Sequence, residues 1–177
     1  MNTTRELQNA LTAFSLPLYP EIPDVGLYLD QVVKFINSYL ADFPEMTVTN
    51  SMISNYAKQK LIDRVNKKTY TREQIAILIY IVMTKTVLSI ENIKLTLENA
   101  KKSGDSFEPR YIAFRENLVT ALSGFYEREK TLPLNQTHAE SDLMTENVVI
   151  AIAYKMYLER YFEIFKEKQK SEDKAGH

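Results

Sequence analysis

The sequence predicts a mostly α-helical protein carrying one short β-hairpin. Three observations point there. Apolar residues restart at helical spacing in six stretches along the 177 residues. Chain breakers are scarce, with four glycines and six prolines, and most of the prolines fall before residue 45. Finally, six of the seven charged side chains between residues 46 and 72 are basic, in a chain whose net charge is −1.

Composition bounds the class of protein. A hydrophobic content of 45% and a charged content of 25% are ordinary for a globular chain. The absence of cysteine excludes disulfides, thiolate metal sites and cysteine nucleophiles together. The start "MNTTRELQNA" has no signal-peptide core. The longest apolar run, Ile75 to Met83, is about half the length of a membrane span, so it predicts a buried helix. A cytoplasmic protein without membrane contact is expected, and the sequons at Asn2 and Asn135 are then chance matches.

Residues 1–23 read as an N-terminal arm, because "LPLYPEIP" is too proline-rich for regular structure. A helix follows over about 24–41, with Leu29, Val32, Val33, Ile36 and Leu40 on one face, and Pro44 ends it. Later helix starts share one device, an apolar residue before the cap that packs on the fourth helical residue. The pairs are Val48 with Ile53 around Thr49, Tyr70 with Ile75 around Thr71, Leu88 with Ile93 around Ser89, and Met144 with Val149 around Thr145. They place helices at 49–60, 71–86, 89–102 and 145–168. A further helix covers about 108–130, and the tail 171–177 reads as disordered. Between 61 and 70, Leu61–Ile62 and Thr69–Tyr70 are expected to pair as a hairpin around "RVNKK".

The charge is segregated. Residues 1–45 hold two basic and six acidic side chains, whereas 46–72 hold six basic and one acidic. On the 49–60 helix, Ile53, Tyr56, Ala57 and Leu61 can pack inward. Asn50, Ser51, Ser54, Asn55 and Lys58 are left around the outside. Helix N-termini favour phosphate, asparagine can bond adenine in two places, and serine can bond a base edge or a phosphate. Arg64, Lys67 and Lys68 at the hairpin tip, with Arg72 just beyond, would follow the phosphate backbone. These residues predict a helix and wing that read double-stranded DNA. The bland alternative is a solvated helix and loop.

The stretch "VTNSMISNYAKQKLI" followed by "KKTYTREQIAILIYIVMTKTVLSIENIKLTLE" resembles the winged helix-turn-helix domain of MerR-type transcription regulators. The resemblance covers about residues 48–98. It implies a recognition helix, a wing, and a winged helix-turn-helix DNA-binding domain over 24–102. Four features depart from the family, the first being that the 24–41 helix is longer than the family's. Ser54-Asn55-Tyr56 stand where Arg-Tyr-Tyr is usual, Lys60 replaces the glycine before the Leu-Ile pair, and the metal-sensing cysteines are missing. With "IPDVGLYLDQVV" upstream, the whole chain also resembles a family of small Gram-positive bacterial proteins of unknown function.

No catalytic or metal site is expected. His138 lies in a polar loop and His177 at the end, with no acid pair or nucleophile arranged around either. The last helix carries a narrow polar stripe of Lys155, Glu159, Glu163 and Lys166 and is apolar almost everywhere else. A helix apolar on most sides must be covered on most sides. The 107–170 region is therefore expected to form a homodimer, with a small-molecule effector pocket among its rings as the alternative to plain core packing. Two functions stay open: a DNA-binding transcription regulator, or a helical protein-interaction module on a degenerate winged-helix scaffold.

Overall fold

In the computed structural model, residues 11–63, 68–102, 104 and 106–123 are described, with isolated positions between 150 and 172. A 3-10 turn at Tyr19–Glu21 leads to strand β1 (Leu27–Tyr28) and helix α1 (Leu29–Ser38). A second 3-10 turn, Pro44–Met46, precedes α2 (Asn50–Lys58) and strand β2 (Thr69–Tyr70). Three helices follow: α3 (Arg72–Thr84), α4 (Ile90–Lys102) and α5 (Glu108–Ser123). Where elements are described, the architecture is mostly helical with one small antiparallel ribbon.

Helix α3 is the axis of the core. Every residue from Gln74 to Ile79 is buried, as are Ile81, Val82 and Thr84. That all-round burial is why its sequence shows an apolar run instead of a stripe. Its two buried polar side chains are satisfied. The Gln74 side chain accepts from the backbone N–H of Thr71 at 3.0 Å and donates to the Asp63 carbonyl at 3.0 Å. The Thr84 hydroxyl donates back to the carbonyl of Tyr80 at 2.7 Å. Against α3 lies α5, where Tyr80 stands edge-on to Phe107 and Phe114. Glu73 accepts the Phe107 backbone N–H at 2.7 Å, placing a carboxylate at the positive end of α5.

The caps expected at Thr49, Thr71 and Ser89 are present. Their side-chain oxygens accept from Met52, Gln74 and Asn92 respectively. The paired apolar residues around them, Val48 with Ile53, Tyr70 with Ile75 and Leu88 with Ile93, all join the core or pack against it. Helix α1 is tied to the start of α2 by Asn37. Its amide donates to the Val48 carbonyl and accepts the Val48 N–H, both at 2.9 Å, as a neighbouring strand would.

Three expectations need correction. The segment before residue 24 is not a loose arm over its described part, because Leu16, Pro17 and Ile22 are buried. Side chains satisfy its carbonyls: Arg115 bonds Leu16 at 2.7 Å, Tyr111 bonds Pro17 at 2.8 Å and Arg72 bonds Ile22 at 2.7 Å. The first helix begins at Leu29 instead of about 24, since Leu27–Tyr28 form a strand. Gln31 accepts the Tyr28 N–H at 2.9 Å, closing the first turn.

The third correction concerns the hairpin. Thr69–Tyr70 do pair, but with Leu27–Tyr28, in the register Leu27↔Tyr70 and Tyr28↔Thr69. Leu61 and Ile62 are both buried, at 1% and 3% exposure. A surface strand must alternate its side chains, so two consecutive inward residues do not fit one. Gly26 lets the ribbon close: a Cβ there would meet the Thr69 hydroxyl oxygen at 2.7 Å.

Residues 124–149, most of the expected 145–168 helix and the 173–177 tail lie outside the described residues. Of the described positions in that last segment, one is buried and one pairs with α4. Phe162 is buried, and Lys166 meets Glu91 of α4 at 2.8 Å. The hydrogen bond and charge of Lys166 hold the Glu91 carboxyl below its usual range.

Candidate nucleic-acid interface

Helix α2 has two distinct sides. Ile53 and Tyr56 are buried in the core, while Asn50, Ser51, Asn55 and Lys58 are exposed and Ser54 is half-buried. No acidic side chain occurs anywhere on the helix. Asn50 is partly occupied, since its amide donates to the Asp30 carboxylate of α1. Ser51, Asn55 and Lys58 therefore form the accessible polar strip.

The end of α2 is a sharp left-handed turn. Lys60 has φ +60°, its N–H bonds the Ala57 carbonyl, and the Leu61 N–H bonds the Tyr56 carbonyl, both at 3.1 Å. This is a Schellman motif with its accompanying apolar contact supplied by buried Leu61. Glycine is the usual residue there. A side chain in this conformation costs roughly 1–2 kcal/mol. Lys60 thus takes the backbone shape that a glycine would adopt without strain.

Beside this turn lies an open groove of about 1120 Å³. Tyr28, Leu29, Ala57, Ile62 and Tyr70 supply its apolar lining, and Lys58, Lys60, Lys68 and Lys101 its cations. Three carboxylates also reach it, and each is engaged. Asp30 holds Asn50, Asp63 pairs with Lys101, and Glu98 pairs with Lys94 at 3.9 Å. Among the described residues, no ion pair engages Lys58, Lys60 or Lys68. Lys68 has φ +63° and is exposed beside β2.

Of the residues expected to meet DNA, the structure brings Ser54, Lys58 and Lys68 to one groove, with Ser51 and Asn55 on the adjoining helix. Arg64 and Lys67 lie outside the described residues. Arg72 is not part of this groove. Its guanidinium bonds the Ile22 carbonyl, lies 3.8 Å from the Asp24 carboxylate and packs over the Tyr19 ring. Proximity in sequence to the basic run suggested otherwise, but α3 starts facing the N-terminal segment. Lys60, which the sequence reading left out of the DNA-facing set, also lines this groove. Among the described residues, no group of three or more His, Cys, Asp or Glu could hold a metal ion. No described helix is long and apolar enough to cross a membrane.

These features define a helical domain in which a short ribbon joins the start of the first helix to the start of the third. The chain belongs to the family described as Domain of unknown function (DUF1836), whose model matches residues 17–116. The match begins at Pro17, one of three buried residues of the proline-rich segment. No curated protein and no solved structure matches the chain.

Proposed function

We propose that this protein is a DNA-binding regulator of the winged helix-turn-helix kind, with α2 as its recognition helix. The observation that carries the reading is the two-sidedness of α2. Ile53 and Tyr56 anchor it, and Ser51, Asn55 and Lys58 face outward with no acid among them. Small polar side chains let a helix sit deep in the major groove, and asparagine and serine can bond base edges there. Lys68, exposed beside β2, supplies a cation for the phosphate backbone. The Schellman turn at Lys60 and the order β1–α1–α2–β2–α3 further support a winged-helix plan. Lys166 against Glu91 ties the last segment to α4, and we take the homodimer through that segment as part of the same reading.

The test is selection of a preferred duplex from a random pool, followed by anisotropy titrations. Asn55→Ala should weaken binding to the selected site by about 1–3 kcal/mol while leaving mixed-sequence binding nearly unchanged. Equal losses on both would demote Asn55 to a backbone contact. A second reading, a protein-interaction module, draws on the carboxylates of Asp30, Asp63 and Glu98 around the groove. Failure to bind any duplex at low salt would favour it.

A further inference from the structure

Two non-glycine residues among those described adopt a left-handed backbone, and both are lysines on the same groove. Lys60 has φ +60° and Lys68 has φ +63°. Residues held in a disfavoured conformation are found where function retains them against stability. At Lys60 the surrounding hydrogen bonds leave no other conformation open, because the Schellman turn fixes the chain between Tyr56 and Leu61. Glycine would satisfy that turn without strain. The lysine side chain is exposed and engages no described partner, so neither packing nor an ion pair explains it.

Its neighbours do. Lys58, Lys60 and Lys68 line one groove whose three carboxylates are each engaged by another side chain. Among the described residues the groove is thus left with three lysines that no ion pair engages, against one carboxylate, Asp30, whose partner Asn50 is uncharged, all beside the outward strip of α2. We propose that Lys60 is a DNA phosphate contact, and that with Lys58 and Lys68 it makes this groove the track for one strand's backbone. This rests on the DNA-binding reading and goes beyond it, by naming a residue retained for binding against the preference of the backbone. Phosphate contacts add affinity without sequence information and release counterions.

The experiment uses the full chain and a mixed-sequence duplex of about two helical turns. Lys60→Gly should raise the melting temperature by about 2–4 °C, because the turn is relaxed. The same variant should bind the duplex about eightfold more weakly at 0.1 M salt, with the slope of log affinity against log salt flatter by about 0.9. Lys60→Arg should keep both affinity and slope, and Lys60→Asn, which tolerates the left-handed turn, should lose both. Opposite movement of stability and binding in Lys60→Gly is the signature. If Lys60→Gly is more stable but binds with unchanged affinity and slope, Lys60 is off the duplex and the proposal fails while the DNA-binding reading stands. If the wild type binds no duplex, both fall. A less stable Lys60→Gly overturns the argument from strain.

Discussion

The Nε of Arg72 donates to the carbonyl of Ile22 at 2.7 Å, joining residues fifty positions apart. Arg72 opens helix α3, and Ile22 ends the proline-rich segment with its side chain fully buried. The same guanidinium lies near Asp24 and over Tyr19, so one side chain fastens the N-terminal segment to the axis of the core.

Arg72→Ala should therefore act on stability. Removing a charged donor from a partly buried carbonyl costs about 1.5–3 kcal/mol, read as a lower urea midpoint at unchanged slope. The salt dependence of duplex binding should stay at the wild-type value. A flatter slope would return Arg72 to the phosphate contacts.

Tyr111 makes a second fastening of the same kind. Its ring is fully buried, its hydroxyl donates to the Pro17 carbonyl at 2.8 Å, and burial pushes that hydroxyl well above the ordinary tyrosine value. Tyr111→Phe should destabilise by about 1–3 kcal/mol by leaving the carbonyl without its donor. The sign with pH follows from the raised folded value. The neutral hydroxyl's contribution is complete below the unfolded tyrosine pKa of about 10 and is lost as pH rises through the folded one. Urea midpoints should fall on the alkaline side, and fall less steeply in Tyr111→Phe.

Gly26 and Thr69 test the ribbon. A Cβ at 26 would lie 2.7 Å from the Thr69 hydroxyl oxygen and 2.8 Å from its Cβ. Gly26→Ala should destabilise by about 1–3 kcal/mol, the usual range for overpacking. Thr69→Gly removes both clashing atoms, so the double variant should be more stable than the sum of the two single effects implies. Simple additivity in a thermal-melt cycle would show that the strands do not meet there.

The sequence by itself determined the helix starts at residues 49, 71 and 89. The caps at Thr49, Thr71 and Ser89, and the inward residues Ile53, Tyr56 and Ile75, are local consequences of side-chain spacing and backbone hydrogen bonding. Each can be read within one or two turns of chain. The outward strip Ser51, Asn55 and Lys58 was legible for the same reason, because the inward side of a helix fixes its outward side. Tertiary structure alone decided the partners. Thr69–Tyr70 pair with Leu27–Tyr28 across more than forty residues, and no local pattern distinguishes that strand from the nearer Leu61–Ile62. Arg72 turns to Ile22 instead of joining the basic run, because the core sets which way α3 starts. The pairing of Asp63 with Lys101, which withdraws that carboxylate from the groove's lysines, joins α4 to the segment after α2. That pair depends on through-space distance, and a linear chain carries no direct record of that.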